Sequence, residues 1–270
     1  MLSSNTSKES TAALINRLTE AGFTIHPKEV FTSLGAMREM LIARGIERFV
    51  LSSRVIYPLS CLCLTLTNGD AHRPYLLLSD SALADFSNFP TAKPPEPLEQ
   101  ERTYDAVVIG LAYDKFSYAN LNTAFRILTS TTSTASSPAN TTPSIPLLAT
   151  HRARYVRDPN GELSLGPGPF VTALENAVGG GFKAQAVGKP ERAFFEVCLQ
   201  SLDVGIRGNS EGGIRLGDVA VVGDDAEADL GGGAVELGLQ RILGERLSLT
   251  EFWRLSGSYY HISHSQNRKV

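Results

Sequence analysis

The stretch Asp218-Val-Ala-Val-Val-Gly-Asp-Asp-Ala-Glu-Ala-Asp229 decides how this chain is read. Apolar β-formers run from 219 to 222 and end at Gly223, and the carboxylates of Asp224, Asp225 and Asp229 follow. A short apolar run closed by glycine reads as a buried strand. Acids at its C-terminal end suit a hard divalent cation, which takes oxygen ligands and keeps some of its waters. A second run, residues 184–187, leads into Gly188-Lys189-Pro190 and presents one lysine at another strand end. One tip carrying a cation and another carrying acids together describe a site for a metal-bound phosphate. Taken alone, the acids read equally as a solvated turn.

Working outward, strand and helix patterns alternate. Strands are expected at 184–187, 218–222 and 239–243, with helices at 191–201 and 230–237. Upstream, strands are expected at 49–51, 75–78, 106–111 and 146–150, and helices at 31–42, 118–128 and 170–178. Thr6-x-x-Glu9 has the spacing of a capping box opening a helix that stops at Gly22. Alternation with polar residues at strand C-termini argues for an α/β fold with a parallel, Rossmann-like sheet. Gly179-Gly180-Gly181 reads as a hinge. Residues 129–144, rich in Ser, Thr, Pro and Ala, have nothing to bury and read as a disordered loop.

The chain has 270 residues, 42% of them hydrophobic and 20% charged, with a net charge of −3. This is ordinary globular composition with no basic footprint, so nucleic acid is not an expected partner. Cys61, Cys63 and Cys198 form neither a disulfide framework nor a metal pattern. No apolar run reaches bilayer length and no leader precedes the first helix, so a cytoplasmic protein without membrane attachment is expected. His261-x-x-His264 lacks a third ligand and is discounted.

These motifs carry a resemblance. Gly188-Lys189-Pro190-Glu191 followed by Val222-Gly223-Asp224-Asp225-x-x-x-Asp229 resembles motifs III and IV of the haloacid dehalogenase (HAD) superfamily, and Ser4-Asn5 resembles its motif II. Residues 31–34, 107–112 and 163–175 are similar to its capped, C2-type phosphatases. The similarity covers roughly residues 3–51, 74–128 and 146–243. It implies a Rossmann-like core interrupted by an α/β cap: core at 1–73, cap at 74–182, core again at 183–270. It also implies Mg2+ and a small phosphorylated substrate: a phosphomonoester, phosphoramidate or pyrophosphate.

The resemblance assigns roles residue by residue. Ser4 hydrogen-bonds the transferring phosphoryl group and Asn5 helps hold it, through its side chain or its backbone N–H. Lys189 screens the charge on phosphate and nucleophile. Asp224 ligates the metal, and Asp229 orients it or a bound water. Asp225 either joins them or caps the following turn. His151 reads as a satisfied structural histidine, and Arg152, Arg154 and Tyr155 fall where cap loops meet substrate.

The chain also departs from the family pattern. The nucleophile loop, Asp-x-Asp/Ser-Gly-Thr, precedes motif II in the family, but Met1 stands three residues before Ser4 and no such loop occurs elsewhere. The sheet is therefore expected to lack its central strand and the chain to be inactive, since the lost aspartate is both nucleophile and metal ligand. Residues 52–73, an apolar stretch broken by Pro58, and the tail 244–270 have no family counterpart and read as non-native sequence. Gly231-Gly232-Gly233 carries one residue beyond the family spacing, which weakens the helix after it. The alternative is a non-catalytic protein that uses the cap to bind a partner or to form a homodimer.

Overall fold

A computed structural model of the chain describes residues 1–44, 73–87, 89, 104–130, 145–158, 160–202 and 215–244. In chain order the elements are β1 (Leu2–Ser4), α1 (Thr11–Glu20), β2 (Val30–Thr32), α2 (Ser33–Ala43), β3 (Pro74–Leu77), α3 (Asp80–Leu83), β4 (Ala106–Ile109), α4 (Tyr118–Thr129), β5 (Leu147–Ala149), β6 (Tyr155–Arg157), β7 (Leu163–Leu165), α5 (Gly168–Val178), β8 (Gln185–Ala186), α6 (Arg192–Ser201), β9 (Ala220–Gly223), α7 (Gly233–Glu236) and β10 (Gln240–Leu243). The fold is α/β and its sheets are parallel, apart from the β6–β7 hairpin.

The first sheet region, which carries the candidate site, consists of two separate strand pairs. β1 pairs with β2, and β9 with β10, each in parallel. Among the described residues no strand bridges the two pairs. The consequence is visible on β9. It was expected to be buried, yet Val222 is 65% exposed, with Ile242 and Leu243 of β10 also open. A parallel strand buries both faces only when neighbours and helices flank it on both sides, and among the described residues β9 has one neighbour.

A second sheet has the order β3-β4-β5-β8, all parallel. All four residues of β4 are buried, because strand side chains alternate between faces and both faces are covered. Val107 and Ile109 join Leu147, Leu128, Val171 and Leu174 under α4 and α5. Ala106 and Val108 point the other way, into a core with Leu34, Met37, Leu41, Phe86 and Phe194. That second core also holds α2 and α6, and the Phe31 ring of β2 lies 5.2 Å from the Phe194 ring of α6. The sheet runs past residue 182, where the expected cap segment ends, because Leu148 and Ala149 of β5 pair with Gln185 and Ala186. The lysine tip therefore leaves the second sheet, and the acidic tip leaves the first.

Several local expectations need correction. The Thr6-x-x-Glu9 box does not open α1. Ser10 is the N-cap, its Oγ accepting from Ala13 N–H, and Glu9 pairs with Arg17 instead. Residues 6–10 are drawn into a loop that bonds to the second sheet, and tertiary contacts override the local signal. Residues 30–32 form a strand rather than the start of α2, which Thr32 caps. The β6–β7 hairpin was not anticipated, although Asp158-Pro159-Asn160-Gly161 between its strands carries turn chemistry. Helix α7 is reduced to four residues, in keeping with the extra glycine before it. Gly179, Gly180 and Gly181 all have positive φ. Expectations for 49–51, for 52–73 except its last residue, for 131–144, for 245–270, and for Cys61, Cys63, His261 and His264 lie outside the described residues. Among the described residues no helix is long and apolar enough to cross a membrane.

Candidate functional site

The two strand tips meet. Lys189 follows β8, and its Nζ donates to Asp229 Oδ1 at 2.6 Å and to the carbonyl of Ser3 in β1 at 3.2 Å. The Lys189 and Asp229 side chains are only 10% and 16% exposed. The Lys189 backbone is gripped as well. Asn5 Nδ2 donates to its carbonyl and Asn5 Oδ1 accepts from its N–H, each at 2.8 Å. These bonds tie the end of β1, the end of β8 and the loop after β9 into one cluster. The peptide bond between Lys189 and Pro190 is cis, and the Pro190 carbonyl accepts from Gly233 N–H at 2.7 Å, joining α7 to the same tip.

The acidic loop divides its labour. Asp225 caps the turn, with Oδ1 accepting from the N–H groups of Glu227 and Ala228 and its carbonyl accepting from Asp229 N–H. Asp229 is thereby folded back against the end of β9. A β-carbon on Gly223 would lie 2.4 Å from Asp229 Cβ, so only glycine lets that approach occur. Asp224 is exposed at the tip of the loop. The structure thus brings together Asn5, Lys189 and Asp229, with Ser4 at the end of β1 and Asp224 just after β9.

Ser4 Oγ accepts from Thr6 N–H at 3.1 Å, which bends the chain after β1. The next residues are laced to the C-terminal ends of the second sheet. Ser7 Oγ accepts from Leu111 N–H at 2.9 Å and lies 3.1 Å from His151 Nε2. The carbonyl of Lys8 accepts from Ser79 Oγ, Ser10 N–H donates to Ser81 Oγ, and Thr11 donates to Asp85. His151 is buried, and its Nδ1 accepts from Ala153 N–H, so Nε2 carries the hydrogen and donates to Ser7. Burial pulls its pKa down to about 4, which keeps the ring neutral. It is a structural histidine, bonded on both nitrogens.

Arg152 forms a two-pronged pair with Glu175 of α5, at 2.7 and 2.9 Å. Glu175 also accepts from Ala184 N–H at 2.7 Å, just before β8. The Arg152 hydrogen bonds hold the Glu175 carboxyl down at about 2. This pair, and Ser7, carry no sequence signal of their own, since their partners are distant along the chain.

Comparison with known proteins places this arrangement. The chain is 37% identical over 239 residues to haloacid dehalogenase-like hydrolase domain-containing protein 2 of Homo sapiens, covering 88% of this chain and 68% of that one. The chain belongs to the haloacid dehalogenase-like hydrolase family. The HAD-hydrolase-like family profile matches residues 186–245, the segment from β8 through β10. The phospholysine phosphohistidine inorganic pyrophosphate phosphatase of Homo sapiens is 29% identical over 228 residues, covering 84% of this chain and 62% of the relative. In fold, the chain resembles a p-nitrophenyl phosphatase from Archaeoglobus fulgidus, with a TM-score of 0.62 and 17% identity over 89% of this chain and 71% of that one. It also resembles a glycerol phosphate phosphatase from Mycobacterium tuberculosis in complex with magnesium, with a TM-score of 0.60 and 20% identity over 89% and 57%. This HAD-like chain therefore has relatives and fold neighbours that are phosphatases.

Proposed function

We propose that the meeting point of the two strand tips binds a magnesium-held phosphoryl group, as in a Mg2+-dependent phosphatase of phosphomonoesters, phosphoramidates or pyrophosphate. The observation that carries this reading is the cluster of Lys189, Asp229 and Asn5 at one point, reached from three separate elements. Lys189 supplies a fixed positive charge for phosphoryl oxygens. Ser4, whose oxygen already accepts from Thr6 N–H, keeps its hydroxyl hydrogen for a phosphoryl oxygen. The backbone N–H of Asn5 is a second donor in the same turn.

The donor set fits magnesium. Asp224 and Asp229 offer hard carboxylate oxygens, and Asp225 shapes the loop that presents them. Among the described residues no group of three or more His, Cys, Asp or Glu side chains is placed to hold a metal ion by itself. Magnesium commonly takes one or two carboxylates and completes its shell with water and substrate phosphate. When bound, it would neutralise charge on phosphoryl oxygens. In this reading residues 74–182 act as a cap that selects a small phosphorylated substrate, and the same cap is the surface for a homodimer. The cytoplasm suits a protein of this composition.

The 270 residues contain no Asp-x-Asp sequence, and Lys189 bonds directly to Asp229. These two observations favour a second reading for the chain by itself: it binds phosphate but does not turn it over. Titration calorimetry with orthophosphate tests the shared claim. Binding that requires Mg2+ and is lost in Asp224→Ala supports it, and binding indifferent to both opposes it.

A further inference from the structure

The Asn5 side chain does not face away from its neighbours as a free ligand would. Its Oδ1 accepts from Lys189 N–H and its Nδ2 donates to the Lys189 carbonyl, both at 2.8 Å, across 184 residues of sequence. This is the bonding pattern of one strand residue against another, supplied by a side chain. The amide cannot be turned over without setting oxygen against carbonyl and nitrogen against N–H, so its orientation is determined by its partners. The chain also makes room for it. A β-carbon on Gly188 would stand 2.5 Å from Asn5 Oδ1 and 2.4 Å from the Thr150 carbonyl. Gly188 therefore admits the Asn5 amide to the backbone beside the lysine.

We infer that Asn5 is the positioning residue for Lys189: its side chain fixes the lysine backbone, and through it the ammonium, instead of touching phosphate itself. Residue 189 has no partner in the β5–β8 ladder, which ends at Ala186; its neighbours are held by Gly188 N–H to Thr150 O on one side and Gly233 N–H to Pro190 O on the other. Without Asn5, the backbone N–H and carbonyl of residue 189 itself lose the partners that hold them. With it, the root of the lysine is pinned on both sides, and Nζ reaches Asp229 and the Ser3 carbonyl from a fixed base. Ser4 and Asn5 are neighbours with separate tasks: the hydroxyl faces substrate and the amide holds the lysine.

This inference rests on the phosphate reading only for its consequence, and the test separates the two. In the full chain, amide hydrogen exchange at Lys189 and labelling of its ammonium by an amine reagent are followed by peptide mass spectrometry. Asn5→Ala is expected to speed both on the order of ten-fold, and Ser4→Ala to leave both unchanged. Unchanged rates in Asn5→Ala overturn the inference. Orthophosphate binding with Mg2+ is then compared in a double-mutant cycle. Asn5→Ala weakens binding when Lys189 is present and has no further effect in Lys189→Met. Equal weakening in both backgrounds shows direct contact with phosphate and also overturns it. If the parent chain binds no phosphate but Asn5→Ala still frees the lysine, the clamp stands and the phosphate reading falls.

Discussion

Lys189 Nζ and Asp229 Oδ1 are 2.6 Å apart, and they join a strand end of one sheet to the loop leaving the other. Both side chains are nearly buried, so each is the main compensation for the other's lost hydration. Lys189→Met should therefore destabilise the chain by about 2–3 kcal/mol, near the lower end of the range for a broken buried pair because some solvent reaches both groups. Urea unfolding reads this directly. The double variant Lys189→Met/Asp229→Leu should recover much of the loss, and a double variant as unstable as the sum of the singles would show that the two do not act as a pair.

Gly188→Ala should be damaging out of proportion to its size. The new methyl meets the Thr150 carbonyl at 2.4 Å and Asn5 Oδ1 at 2.5 Å, and neither backbone nor pinned amide can yield cheaply. An overpacking loss of about 1–3 kcal/mol is expected. Thermal unfolding of the variant checks it, and a melting point equal to the parent's would mean the tip is looser than its bonding indicates.

Thr150 Oγ1 is buried, and among the described residues it has no hydrogen-bond partner. An unsatisfied buried hydroxyl lowers stability, and a methyl of the same size does not. Thr150→Val should thus be neutral or stabilising by up to about 1 kcal/mol. A loss of more than that in chemical denaturation would reveal a partner for the hydroxyl.

Two buried groups give the stability a defined pH dependence. His151 falls from an ordinary value of 6.5 to about 4, so the unfolded chain binds the proton first. Its contribution is present above pH 6.5 and is lost as pH falls from 6.5 to 4. Glu175 falls from 4.5 to about 2, so its contribution is present above pH 4.5 and fades between 4.5 and 2. The histidine shift corresponds to on the order of 3 kcal/mol. Unfolding midpoints measured from pH 7 down to 4 should decline in the parent chain and decline less in His151→Gln. Parallel curves would assign the decline to other groups.

Much of this was legible in the sequence, and the rest was hidden for identifiable reasons. The period-2 and helical patterns place β3, β4, β5, α4, α5 and α6 within a few residues of where they fall. The Gly188-Lys189-Pro190 and Gly223-Asp224-Asp225 tips stand out because apolar runs end abruptly in charge. What the sequence hides is pairing across distance. Thr6-x-x-Glu9 looks like a helix start until Ser7 is seen bonded to Leu111 and His151. Gln185 and Ala186 look like part of the first sheet until they pair with β5. The Asn5 side chain gives no sign in the sequence of its bonds to the backbone of residue 189. In each case a long-range partner outcompetes a local preference, and no spacing rule encodes it.

We propose that these two tips grip a magnesium-held phosphoryl group, a site that an added carboxylate nucleophile would make catalytic. It is tested most directly by fusing an Asp-x-Asp-Gly-Thr strand ahead of Leu2 and measuring p-nitrophenyl phosphate hydrolysis beside the 270-residue chain. Mg2+-dependent turnover is expected in the fused form alone, abolished by Lys189→Met and by Asp224→Ala. Equal turnover in both forms, or turnover in the fused form that survives both substitutions, would contradict it.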